Sequence, residues 1–168
     1  RTGLKIGTGF EQYEDLFFNF NLSAYYEKLE TSSLASSIKK KQEGDYFENL
    51  ISYSITLNKL DQNFQPSDGH ITTFSQTLPI YSEDLTIENS LTVSKYYSVN
   101  DSLILSGKLY LKAVNSIDDN TRVSKRVYIP TYRLRGFASG SIGPKDGTQY
   151  IGGNYGSAVT FNTTLPKL

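Results

Sequence analysis

The sequence contains no cysteine, no methionine, no tryptophan and a single histidine, His70, among its 168 residues. Without cysteine there are no disulfides, no thiolate chemistry and no cysteine-based metal sites. One histidine excludes a histidine metal cluster, and His70 has no nucleophile signature beside it, so it reads as a polar residue at a strand end. An excess of charge is also missing: 17 basic side chains balance 17 acidic ones. That leaves no electrostatic footprint for nucleic acid, and Lys39-Lys40-Lys41 is too short a tract to supply one. No stretch approaches the ~20 continuous apolar residues of a membrane helix, so any crossing must be made by strands. Asp61-Gln62-Asn63 briefly resembles a calcium loop, but Pro66 stands where that loop needs glycine and no distal glutamate fits. No cofactor and no enzymatic centre is implied. Arg1 is not an initiator and no basic-then-apolar leader follows it, so the chain is expected to be a piece of a longer protein.

What is present is aromatic residues, 13 Tyr and 9 Phe, and alternation with period two. Leu16 to Leu29 is the clearest case: Leu16, Phe18, Phe20, Leu22, Ala24 and Tyr26 oppose Asn19, Asn21, Ser23 and Glu27. Leu4 to Phe10, Ile51 to Leu60, Leu85 to Val99, Leu103 to Ala113 and Ser157 to Leu165 repeat the pattern, while His70 to Leu78 is β-prone without a clean apolar face. Between them, Glu30 to Asn49 reads as a solvated loop, in which Ser37 to Glu43 is taken as loop rather than helix. Pro66 and Gly69 end pairing in an Asp61 to Gly69 turn. Pro79 to Asp84 and Asn100-Asp101 are short links, and about 115–154 is one long loop.

Alternation alone fits a soluble antiparallel sandwich as well as a membrane barrel. Strand length favours the barrel, because several segments reach the ~9 to 11 residues needed to cross hydrocarbon at a tilt. Most short links fall on one side and the long loops on the other, as in outer-membrane barrels, which puts the long loops outside the cell. An open sheet of such strands leaves edge amides unpaired in lipid, so further strands are expected from elsewhere in the parent chain. Glu27, Glu88 and Lys108 fall on the polar side and read as solvation of a barrel interior.

The long loop carries Leu134-Arg135-Gly136-Phe137, then Gly143-Pro144-Lys145-Asp146-Gly147, then Ile151-Gly152-Gly153-Asn154. Its glycines and aromatic residues argue for a folded loop rather than a disordered one. In order, these motifs resemble the sixth extracellular loop of the BamA-type outer-membrane-protein assembly barrels, whose hallmark is an aliphatic-Arg-Gly-aromatic tetrapeptide followed by Gly-Pro and Gly-Gly-Asn. Asp61, Phe64, Pro66 and Gly69 are similar to that family's periplasmic Asp-to-Phe-x-Pro-x-x-Gly turn. Tyr128-Ile129-Pro130-Thr131-Tyr132 departs from the family's glycine-rich lead into the arginine motif.

The resemblance implies an all-β fold: residues 1–168 as part of an antiparallel transmembrane barrel of about sixteen strands, with the loop at about 115–154 folded inward. It implies that Arg135 meets acceptors or aromatic rings of the inner wall on strands outside this chain, that Gly136 permits close approach and that Phe137 anchors. Leu134, Gly143, Pro144, Asp146, Ile151, Gly152, Gly153 and Asn154 would support the loop. The implied function is insertion and folding of β-barrel proteins in the bacterial outer membrane, with unfolded barrel substrates, membrane lipid and accessory lipoproteins as partners. A polypeptide-secretion transporter of the same superfamily and a passive porin-like barrel are the alternatives.

Overall fold

The computed structural model describes residues 1–100, 103–117 and 121–164. Seven long strands form one antiparallel sheet: β1 (Thr2–Tyr13), β2 (Leu16–Leu29), β3 (Gly44–Leu60), β4 (Gly69–Ser82), β5 (Thr86–Asn100), β6 (Leu103–Ser116) and β9 (Tyr155–Thr164), each paired with the next. A two-strand ribbon, β7 (Lys145–Asp146) and β8 (Gln149–Tyr150), lies within the long loop. The sheet is open, with β1 and β9 at its edges.

Directly opposed residues share a face, so the register sorts the side chains. Asn19, Asn21 and Ser23 oppose Ser54, Ser52 and Leu50. Ser54, Ser52 and Leu50 in turn oppose Ser75, Thr77 and Pro79, and Ser75 and Thr77 oppose Ser90 and Glu88. Hydroxyls pair across this polar face, Ser52 with Thr77 and Thr56 with Thr73, each at 3.0 Å, and Lys112 meets Glu88 at 2.9 Å. The opposite face carries a row of rings, Phe10, Phe18, Phe20, Tyr53 and Phe74, with neighbouring centroids 6.0 to 6.4 Å apart.

That apolar face is uncovered: Leu4 is 78%, Ile6 77% and Phe161 82% exposed. A soluble sandwich would bury it. Instead the long loop covers the polar face, and the buried apolar residues Leu50, Val114, Val123, Val127 and Ile151 are either loop residues or polar-face positions against it. Each large apolar side chain left in water forgoes roughly 1.5–3 kcal/mol, so a face built of them is stable only against hydrocarbon.

The elements correct three expectations. β3 begins at Gly44, because Tyr46, Glu48 and Leu50 continue the polar-side series of β3 and pair with β2 as far as its last residue. Ser37–Lys41 is a helix, α1, held by the long loop as described below. Pro79 is not in a link but inside β4, paired with Leu50 at a register shift. It is tolerated there because pairing to β5 stops at Thr77, so its missing N–H interrupts no ladder on that side. The Asp61–Asp68 turn is closed by its own side chains: the Asp61 carboxylate accepts from the Ser67 amide at 3.1 Å and Gln62 donates to the Gln65 carbonyl at 2.8 Å. The Ser67 hydroxyl, with backbone donors, holds the Asp61 carboxyl below its ordinary range. The Asn100-Asp101 turn and Leu165 reach outside the described residues.

Candidate functional site

The long loop enters the polar face through a buried ion cluster. Arg122, its side chain 5% exposed, donates from Nε to Asp84 Oδ2 at 2.8 Å, lies 3.5 Å from Glu27 through Nη1 and reaches Glu48 through Nη2. Its guanidinium stacks 3.8 Å from the Tyr46 ring centre. Lys125 donates to the second Glu48 oxygen at 2.5 Å, and Arg1 approaches it at 3.7 Å. Three carboxylates thus face three cations. Burial alone would lower the pKa of the Arg122 guanidinium, but Asp84 and Glu48 outweigh it and the net direction is upward, so the charge is fixed. Glu27, read from the sequence as solvation, is a member of this cluster.

Past the cluster, Val127 exchanges backbone hydrogen bonds with Gly153 at 2.7 and 3.1 Å, tying the two arms of the loop together. Gly156 of β9 faces this bridge: a Cβ built there would lie 2.6 Å from Val127 Cγ1. A glycine among the branched and aromatic residues of β9 is the sequence signal for such a close approach of the loop side chains to the strand. Ile151 is buried and its amide donates to the Pro144 carbonyl at 3.0 Å. Asn154 accepts from the Val114 amide at 2.7 Å, and β9 starts one residue later.

The outer part of the loop clasps α1. The Ser36 side chain makes no cap, and Asp146 supplies one from a distance, accepting from the Ile38 amide at 2.8 Å and the Ser37 hydroxyl at 3.1 Å. Gln149 donates to the Leu34 carbonyl at 2.9 Å, and Gln42 accepts from the Val123 amide at 2.8 Å. The Ile38 amide is the main reason the Asp146 carboxyl lies below its ordinary range. A depressed acid contributes stability above its unfolded pKa and loses it as pH falls through the folded one. The clasp is therefore expected to be constant through neutral pH and to open below the ordinary aspartate value. In an NMR titration the Ile38 amide resonance should move in that acid window, and Asp146→Asn should abolish the movement.

The arginine motif follows a single 3-10 turn, Thr131–Arg133. Arg133 stacks 3.8 Å from the Tyr110 ring centre on β6, and its carbonyl accepts from Thr160 of β9 at 3.3 Å. Two residues on, Arg135 joins Arg133, Lys108, Thr160 and Asn162 around a cavity of about 420 Å³. No carboxylate lines this cavity among the described residues, and Arg135 has no ion-pair partner among them. Leu134 is half-buried, Gly136 has open space where a Cβ would go, and Phe137 is 54% exposed. Gly143 and Pro144 are exposed, while Gly152 is buried against Tyr128 and Gly153 is half-buried. The structure brings Arg135 to the polar wall and leaves Phe137 half exposed, in no pocket among the described residues. Asp61, Phe64, Pro66 and Gly69 lie at the opposite end of the strands, in and beside the β3–β4 turn, with Phe64 80% exposed.

The sequence matches the family model described as the Omp85 superfamily domain over residues 1–166. None of the curated proteins matches it. Among solved structures it is similar to the crystal structure of BamA from Haemophilus ducreyi lacking POTRA domains 1-3, with a TM-score of 0.86 at 19% sequence identity; the match covers 98% of this chain and 37% of that one. That likeness shows the fold, a stretch of the BamA barrel wall little more than a third of that chain long. An exposed apolar face, a covered polar face and a family match running almost end to end agree: the chain belongs to the Omp85 superfamily of outer-membrane β-barrel proteins.

Proposed function

We propose that this chain is the wall-and-loop portion of a protein that folds and inserts β-barrel proteins into the outer membrane. One observation carries the reading: a loop of nearly forty residues is folded onto the polar face and delivers Arg135 into a cavity lined by two further cations, Lys108 and Arg133. Arg135 and Lys108 are exposed in this chain, so the tip is free to be covered by the rest of the barrel, and strands beyond this chain would supply the carboxylate or ring that Arg135 meets. Leu134, Gly136 and Phe137 shape that contact, and the Gly143 to Asn154 arm supports it. Substrate strands would add at open edge amides of the complete barrel, with membrane lipid and accessory lipoproteins as its other partners.

The test is Arg135→Ala in the full-length protein. The expected result is a several-fold fall in assembled outer-membrane proteins at unchanged abundance of the variant. Normal assembly would remove the loop from the mechanism and favour a passive barrel, and a large single-channel conductance would favour a secretion transporter.

A further inference from the structure

We infer that Arg122, thirteen residues before Arg135, is the positioning residue for the arginine motif: it seats the loop on the barrel wall and so fixes where Arg135 is presented. The inference rests on the reading of the loop as the functional part of the protein. Its partners sit on separate elements, Glu27 on β2, Glu48 on β3 and Asp84 in the β4–β5 link. One guanidinium therefore engages two neighbouring strands and a link at the long-loop end of the sheet. Its planar fork makes this possible, because each nitrogen aims at a different carboxylate while the flat face lies on Tyr46. A lysine would keep the charge and lose the three-way geometry.

The buried part of the attachment is at the root, while the second arm is held by the partly exposed clasp of Asp146 and Gln149 on α1. Residues 121–127 hold Arg122, Lys125, the buried Val123 and Val127 and the bridge to Gly153. The tip around Arg135 to Phe137 is exposed and holds the wall through Arg133 on Tyr110 and Thr160. A loop fixed at its root and light at its tip places Arg135 by leverage. If the root leaves the wall, Arg135 leaves the cavity with it.

A cysteine pair reports this seat. A Cβ at Gly156 would lie 3.6 Å from Val127 Cβ, within the span of a disulfide, and this chain has no cysteine of its own. In the full-length protein, Val127→Cys with Gly156→Cys should oxidise readily. Adding Arg122→Ala should slow disulfide formation roughly tenfold or more, with Arg122→Lys falling between; the heat-modifiable gel mobility of the folded barrel identifies variants that failed to fold. The Arg122→Ala variant should assemble outer-membrane proteins poorly when reduced and recover once the disulfide has been driven to completion with oxidant, since a positioning residue is replaceable by a covalent pin. Unchanged oxidation in Arg122→Ala, or full cross-linking without recovery, would overturn the inference. If Arg135→Ala assembles normally while Arg122→Ala still unseats the loop, the functional reading fails and the seat stands.

Discussion

Replacing Glu48 by alanine is expected to detach the root of the long loop at a cost of about 3–5 kcal/mol, the usual penalty for removing one member of a buried ion pair. The Glu48 side chain is 1% exposed and is shared between Arg122 and Lys125. Its loss leaves Lys125, only 9% exposed, with no carboxylate among the described residues, and strips Arg122 of one of its three. Both cations then do better in water, and the loop lifts to take them there. Trypsin reads the outcome, because cleavage after Arg122, Lys125 or Arg126 requires these residues to leave the wall. When opening is fast relative to cleavage, the rate tracks the open population and should rise by roughly two to four powers of ten. Glu27→Ala is the comparison: at 3.5 Å and 18% exposure it is a looser, better-hydrated contact, expected to be worth under about 1 kcal/mol. Equal cleavage in the two variants would mean that Glu48 does not hold the loop.

The cluster marks the boundary of what could be read from the sequence. Strand β2 was legible to the residue, Leu16–Leu29, because its faces differ sharply, Phe, Leu and Tyr on one side and Asn and Ser on the other. Strand β4 was not, and the reason is physical. Its lipid side carries Gln76 opposite Tyr53, and that amide is satisfied sideways, accepting from the Tyr53 hydroxyl at 2.7 Å and donating to Asn89 at 2.5 Å. A hydrogen-bonded row spanning β3 to β5 is tolerable against hydrocarbon but breaks the apolar alternation of any single strand. Residues 37–41 failed for a related reason: α1 has no cap of its own, and the carboxylate that supplies one, Asp146, is more than a hundred residues away in sequence. Arg122 is the extreme case, since nothing in Thr121-Arg122-Val123 says that three carboxylates on three upstream elements converge on it. Arg135 can be singled out in the sequence because its neighbours form a motif. Arg122 was missed because its neighbours are assembled by the fold.

The loop's second arm gives the other large effect: Gly152→Val is expected to unseat the loop from within. Gly152 has φ of +67°, a conformation costing an ordinary residue about 1–2 kcal/mol and one that a β-branched residue avoids altogether. A Cβ there would also lie 2.9 Å from the Tyr128 ring and 3.0 Å from Arg126 Cβ. Neither neighbour can yield, because Arg126 and Tyr128 flank Val127 and Gly152 precedes Gly153, and Val127 and Gly153 are bonded to each other on both sides. Overpacking adds about 1–3 kcal/mol, for a combined cost near 2–5 kcal/mol. Hydrogen exchange at the Val127 and Gly153 amides measures it directly, and undiminished protection would show that the bridge absorbs the added side chain. Gly136→Ala supplies the contrast: its φ is also positive, +89°, but nothing lies within 4 Å of the added methyl, so only a backbone term near 1 kcal/mol applies and the Val127–Gly153 bridge should keep its protection. An assembly defect in both variants with lost protection in Gly152→Val alone would separate two roles inside one loop. Gly152 would then act through the seat, and Gly136 through the shape the tip presents to the rest of the barrel.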